Sequence, residues 1–424
     1  MTFIFKNVVI VEPASTAPSP PVDILIENGI ISNIGKELKH PVARVFEWED
    51  LHVSIGWMDI GAAHGDPGAE HREDLISLRE VGASGGFTAL APWPDTNPCA
   101  DNKAAIHYLL QGNPNHPVAI FPIASLSEKG NGKEMAELMD LHKAGAIAFS
   151  DGTTSIKNAG LLYRSLKYLQ AFSGICIHFP MDNNLVVDGQ IHEGKWSTLL
   201  GLPGIPDVAE DLMVQRDLSI LNYSGGTLIL WGISSALALN TLLQNEKLNQ
   251  SVFISVPLLN LLFTDENIAA FDTHYKVMPP LRANSDKETL RRAVLNGDIK
   301  IISSNHTPWE TDHKNLEFPY ASFGSITLQQ MFPLLRTYFQ ELPLSKLVEI
   351  LAYQPRQILK IPIPAIREGA KANLTFFSPN KQSIIAKEDN KSKSENSPFW
   401  GEKMVGRVYG VYNEGILKFF DDHQ

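Results

Sequence analysis

Ala146-Ile147-Ala148-Phe149-Ser150-Asp151 and Gly174-Ile175-Cys176-Ile177-His178 share one design, a short apolar run that ends on a side chain able to do chemistry. Runs of this length, without the alternation of a half-buried strand, fit strands covered on both faces, as in a parallel sheet flanked by helices. The same pattern returns in Phe87-Thr88-Ala89-Leu90-Ala91, Val118-Ala119-Ile120-Phe121-Pro122, Thr227-Leu228-Ile229-Leu230-Trp231, Ser251-Val252-Phe253-Ile254-Ser255-Val256 and Lys300-Ile301-Ile302-Ser303-Ser304. Helical patterns such as Lys133 to Ala144 and Ser285 to Asn296 lie between them. That many strand–helix units favour a (β/α)8 TIM-like barrel over a doubly wound sheet. Asp151, His178, Asn305 and His306, at or just past the ends of their runs, then belong to the C-terminal mouth, where barrel active sites sit.

Outward from this middle, both ends of the chain read as strands. Phe3-Ile4-Phe5 and Val8-Val9-Ile10-Val11 precede a Pro-, Ser- and Ala-rich loop from Pro13 to Pro21. Asp23-Ile24-Leu25-Ile26 then meets Ile30-Ile31-Ser32-Asn33-Ile34-Gly35 across Asn28-Gly29, a hairpin signal. At the other end, Ala372 to Phe377 and Gly406 to Tyr412 read as strands, and Asn413-Glu414-Gly415 turns into Ile416 to Phe420. The polar stretch Lys387 to Ser397 reads as a solvated loop. The expected organisation is a small β-sandwich domain from 1–52 plus 366–424, around a barrel over 53–365.

Composition narrows the function. A formal net charge of −11 argues against nucleic acid or an anionic membrane as partner, since both need a basic face. Cys99 and Cys176 are too few for a disulfide framework or a thiolate zinc site. The N-terminal MTFIFKNVVIVEP lacks the features of a signal peptide, and no apolar run reaches the roughly 18 residues that span a bilayer. The expected location is cytoplasmic. Gly85-Gly86 and Gly225-Gly226 lack the flanking Lys-Ser/Thr of a phosphate loop and read as turns.

A series of motifs, in order, adds to this reading. Gly56-Trp57-Met58-Asp59-Ile60 is followed by Asp66-Pro67-Gly68-Ala69-Glu70-His71-Arg72-Glu73-Asp74, then Gly85-Gly86-Phe87-Thr88, Trp93-Pro94-Asp95-Thr96-Asn97-Pro98 and Phe149-Ser150-Asp151-Gly152. His178 with Asp182-Asn183, His192-Glu193-Gly194, Gly204-Ile205-Pro206, Thr264-Asp265-Glu266, Pro279-Pro280-Leu281-Arg282, His306-Thr307-Pro308 and Ser394-Glu395-Asn396-Ser397-Pro398-Phe399-Trp400-Gly401 complete it. In content and order the chain resembles dihydroorotases and related cyclic amidohydrolases from end to end. The resemblance implies an amidohydrolase-superfamily barrel of pyrimidine biosynthesis that opens or closes a cyclic amide with metal-activated water. Zinc can lower the pKa of bound water from about 15.7 to about 7, roughly 12 kcal/mol at about 1.36 kcal/mol per unit. Holding it typically takes three or more His or carboxylate ligands.

The ligand slots that the resemblance implies are Gly61, Ala63, Asp151, His178, Gly232 and Asn305. The family's His-x-His falls on Gly61 and Ala63, its substrate-binding Arg on Gly65 and a further His on Gly232, next to Trp231. Asn305 occupies the position of the aspartate that serves as ligand and general base. Only Asp151 and His178 are retained. The family's substrate-binding asparagines are Asp95 and Met278 here. A site without the guanidinium holds a substrate carboxylate poorly, and Asp95 adds repulsion.

No metal or other cofactor is therefore expected, and no catalytic residue. Asp151, His178, Asn305, His306, Asp95 and Met278 would line a vestigial pocket of a dihydroorotase-like pseudoenzyme. One alternative is an active zinc-dependent cyclic amidohydrolase with a rearranged site that recruits His64 or His306. Strand alternation, however, turns His64 away from a lumen-facing Ala63. Another is a small-molecule binder using the old pocket. The resemblance favours a homodimer, and aspartate carbamoyltransferase as a possible partner by family analogy.

Overall fold

The computed structural model describes residues 1–13, 19–111 and 115–420. The predicted loop from Pro13 to Pro21 falls in part on 14–18, outside the described residues.

The N-terminal strands are β1 (Thr2–Ile10), β2 (Val22–Glu27), β3 (Ile30–Gly35), β4 (Arg44–Phe46) and β5 (His52–Ile55). The Phe3 and Val8 runs merge into β1, with a register shift between Phe5 and Val8 where Asn7 takes a φ of 53°. Asn28 and Gly29 both take positive φ between paired Glu27 and Ile30, as the two-residue turn requires.

The barrel strands come next: β6 (Trp57–Ile60), β7 (Phe87–Ala91), β8 (Ala119–Ile120), β9 (Ile123–Ala124), β10 (Ala148–Phe149) and β11 (Ile175–His178). A small parallel pair outside the barrel, β12 (Ile191–His192) and β13 (Gly204–Ile205), precedes β14 (Thr227–Trp231), β15 (Val252–Pro257) and β16 (Ile301–Ser303). The predicted Val118–Pro122 run is a broken strand, β8 and β9, because Pro122 lacks an amide N–H for the ladder. All barrel pairings are parallel, as expected. The seam between β16 and β6 closes through side chain and loop: Asp59 accepts the Ser304 N–H and hydroxyl at 2.8 and 2.7 Å, and the Ala63 N–H donates to the His306 carbonyl at 2.8 Å. The helix predicted over Lys133–Ala144 starts only at Leu138, since Met135 and Ala136 bond back to Ser127 and Leu126.

The C-terminal strands β17 (Leu374–Ile384), β18 (Lys403–Asn413) and β19 (Ile416–Phe419) join β5, β1, β2 and β3 in one sheet path, with β4 on β1. Its core is aromatic, including the Phe5–Phe376 stack at 4.2 Å. One correction concerns Lys387–Ser397. Its second half is not a solvated loop: Ser394, Asn396 and Ser397 are buried. The Asn396 amide donates to the carbonyls of Thr307 and Gly324, so its polarity serves buried backbone rather than water.

Inside the barrel, Met58, Ile60, Ala89, Ala91, Ile123, Ala148, Ile175, Ile177, Ile229 and Ile301 pack into one lumen cluster. The opposite-parity residues of the same strands pack outward against the helices.

Candidate functional site

At the mouth, above the lumen cluster, the retained and replaced slots come together. On one side the replaced slots face rings. Gly61 takes a φ of +91°, and a Cβ there would lie 2.6 Å from the Trp93 ring and 2.9 Å from Trp231 Nε1. Gly232, at φ +82°, leaves only enough room that a Cβ would meet the Phe179 ring at 3.0 Å. Trp231 packs edge-to-face on Trp93, with centroids 4.9 Å apart, and Phe179 packs on Trp231 at 5.8 Å. All three rings are buried. Ala63 joins the same cluster, as does half-buried Met278. The volume that histidines at 61 and 232 would enter is occupied by an aromatic plug. The Trp231 indole N–H, buried in it, has no hydrogen-bond partner.

On the other side the retained groups are engaged in hydrogen bonds. Asp151 accepts from the Ser125 hydroxyl at 3.0 Å, and from the Ser127 N–H and hydroxyl at 2.9 and 2.6 Å. His178 Nε2 accepts the Ile156 N–H at 2.8 Å, which leaves the ring proton on Nδ1. Nδ1–H then donates to Asp217 at 2.5 Å. Asp217, buried on the helix Val208–Ser224, also receives the Arg216 fork at 2.9 and 2.6 Å. Both imidazole nitrogens are committed, so His178 has no free lone pair for a ligand.

The remaining predicted residues are placed as follows. Asn305, at φ +52°, donates its amide to the Met278 carbonyl at 3.1 Å. His306 accepts the Thr327 N–H on Nδ1 at 3.2 Å and directs Nε2 to Glu73 at 3.3 Å. Asp95 is exposed and accepts from the Thr153 N–H and hydroxyl. His64 lies off the plug: its Nδ1 accepts the Asp66 N–H at 3.3 Å. Burial holds its pKa below the ordinary histidine range, against the pull of Asp95, Asp66 and Glu73. Burial likewise pushes the Cys99 thiol up to about 11.

Zinc in a site of this family needs three or more converging donors. Among the described residues, no group of three or more His, Cys, Asp or Glu side chains is placed to hold a metal. The donor set and the ring-filled space do not fit that ion. Sequence reasoning missed Trp93, Phe179 and Asp217. A tryptophan two residues before Asp95 and a phenylalanine after His178 were visible signals, whereas Asp217 carried none.

A family model described as Dihydro-orotase-like matches residues 53–236. A dihydroorotase of Syntrophus aciditrophicus is 34% identical over 427 residues, covering 100% of both chains. One of Acetivibrio thermocellus is 34% identical over 392 residues, covering 92% of each. Among solved structures, an L-hydantoinase of Arthrobacter aurescens superposes with a TM-score of 0.84 at 20% identity, covering 98% of this chain and 96% of its own. That likeness concerns the fold.

Proposed function

The chain belongs to the dihydroorotase-like family, and we propose that it keeps the family's barrel without metal-dependent hydrolysis, serving instead in assembly or regulation. The observation that carries this reading is the contact of Gly61 with Trp93 and Trp231, where a single added carbon would lie within 3 Å of both rings. Two further facts support it. His178 would have to give up Ile156 or Asp217 to become a ligand, and leaving a buried polar group without its partner costs about 1–3 kcal/mol. The general-base position holds Asn305, whose amide nitrogen has no basic lone pair.

A second reading is an active, zinc-dependent cyclic amidohydrolase with a rearranged site. It is favoured by relatives named dihydroorotase that match over the whole length. The two readings separate in one experiment. The full chain, produced with added zinc and desalted, is assayed for bound metal and for dihydroorotate turnover. We expect less than about 0.1 equivalent of metal, in line with the missing ligands, and no turnover. About one tightly held equivalent with turnover overturns the proposal.

For the partner, we propose aspartate carbamoyltransferase, with the chain itself a cytoplasmic homodimer. A shared gel-filtration peak on co-expression is expected, and separate peaks remove the partner. No helix among the described residues is long and apolar enough to cross a membrane.

A further inference from the structure

Two neighbouring outer helices of the barrel, Val208–Ser224 and Ala236–Leu243, present water with a face that carries no charge. On the first, the exposed positions include Val208, Leu212, Gln215, Ser219 and Tyr223, spaced by three or four so that they share one side. Its four charged residues are withdrawn. Glu210, Asp211 and Asp217 are buried, and Arg216 forks onto Asp217. Asp211 joins the two helices, accepting from the Thr241 hydroxyl at 2.6 Å and the Gln215 amide at 2.5 Å. The second helix has no charged residue at all and exposes Leu237, Asn240 and Leu243.

The flanking helices differ. Ala159–Leu169 on one side exposes Arg164 and Lys167, and Asn284–Asn296 on the other exposes Glu288 and Arg292. A charge-depleted centre inside a charged rim is the anatomy of a protein interface. Tyr223, 80% exposed, is the kind of ring that anchors one.

Charge chooses the occupant. The chain carries a net −11, so a second copy is repelled over most of the surface. Where two uncharged faces meet, that repulsion is least. A partner of opposite charge would find nothing here to attract it. The amides and hydroxyls of the face both donate and accept, so it can pair with itself, as a twofold contact requires. The longer helix is about 25 Å long, and two helices side by side are about 20 Å wide. That footprint is on the order of 500 Å² without the rims, against roughly 800 Å² per partner in a standard interface.

We propose that this two-helix face pairs with the same face of a second copy and forms the interface of the homodimer, an assignment that rests on the homodimer reading above.

The test is sedimentation velocity of the full chain at about 20 µM, since interfaces of this size hold at micromolar concentration or below. A dimer is expected. Sodium chloride at about 0.5 M should leave it intact or tighten it, because salt screens the mutual repulsion. Leu212→Glu and Leu237→Glu each place an unpaired charge in the contact and should weaken it about a hundredfold, giving monomer. Ile76→Glu makes the same kind of change on the helix Leu75–Ser84, outside this face, and should leave the dimer. Should a glutamate variant misfold by circular dichroism, Tyr223→Ala decides, with at least about a tenfold loss expected. A native chain that is monomeric removes both this interface and the homodimer. A native dimer that survives both glutamates at 212 and 237, splits with Ile76→Glu, or dissociates in salt removes this interface alone.

Discussion

Around Gly61 and Gly232 the barrel mouth is closed by hydrocarbon, with Trp93, Trp231 and Phe179 packed against backbone that carries no Cβ. Around β9, β10 and β11 it is closed by hydrogen bonds among Ser125, Ser127, Asp151, His178 and Asp217. The first side depends on atoms being absent, the second on partners being present. A side chain added at Gly61 or Gly232 on the first side meets a ring. On the second side the donors still exist and are only engaged elsewhere. The two sides of one mouth are thus held by different means, ring packing on the first and hydrogen bonding on the second.

The comparison can be broken most directly at Trp231. Trp231→Ala should cost about 3–5 kcal/mol in urea unfolding, since a buried ring leaves a cavity that its neighbours cannot fill. A loss under about 1 kcal/mol would mean the plug is loosely packed. On the hydrogen-bonded side, Asp217→Ala leaves Arg216 and His178 without their acceptor, and about 3 kcal/mol is expected by the same measurement. Asp217→Asn, which keeps one acceptor oxygen, should lose less. A negligible effect of Asp217→Ala would make this bonding an incidental feature.

Gly61→Ala sharpens the filled side. Positive φ and the 2.6 Å approach to Trp93 together should cost about 2 kcal/mol. Adding Trp93→Leu should recover part of that loss, a coupling read from a double-mutant cycle.

A further test concerns buried cations that are bonded to backbone carbonyls rather than held in a salt bridge. Lys314 donates to the carbonyls of Ser322 and Gly324, and Lys276 to those of Phe318 and Pro319. Burial brings Lys314 down to about 7 and Lys276 to about 8, against about 10.4 in an unfolded chain. Between these values the unfolded chain holds more protons than the folded one, so this contribution to stability rises with pH from about 7 to 10. Below about 7 both states are protonated and the burial penalty is felt in full. Lys314→Met should flatten the rise of melting temperature with pH across that window, and an unchanged slope would contradict it.

How much of this was readable beforehand depended on range along the chain. The barrel strands were legible because apolar runs and their spacing are local, and the Asn28-Gly29 turn because its φ demands are local too. Element edges were less so. The helix read from Lys133 begins at Leu138 because Met135 and Ala136 bond to residues across a turn. Lys387–Ser397 was misjudged because polar residues look solvated unless the buried carbonyls they serve are known. The slots at the mouth were legible one by one, yet the Asp217 that holds His178 lies 39 residues further on.

By itself the sequence determined the barrel, the strand-rich ends and the absence of ligand atoms at 61, 63 and 232, because side-chain chemistry and hydrophobic periodicity are written residue by residue. Only the tertiary structure decided what packs against those positions, and which partners Asp151 and His178 take. Steric filling and hydrogen-bond competition are set by distances between atoms that the chain brings together only when it folds.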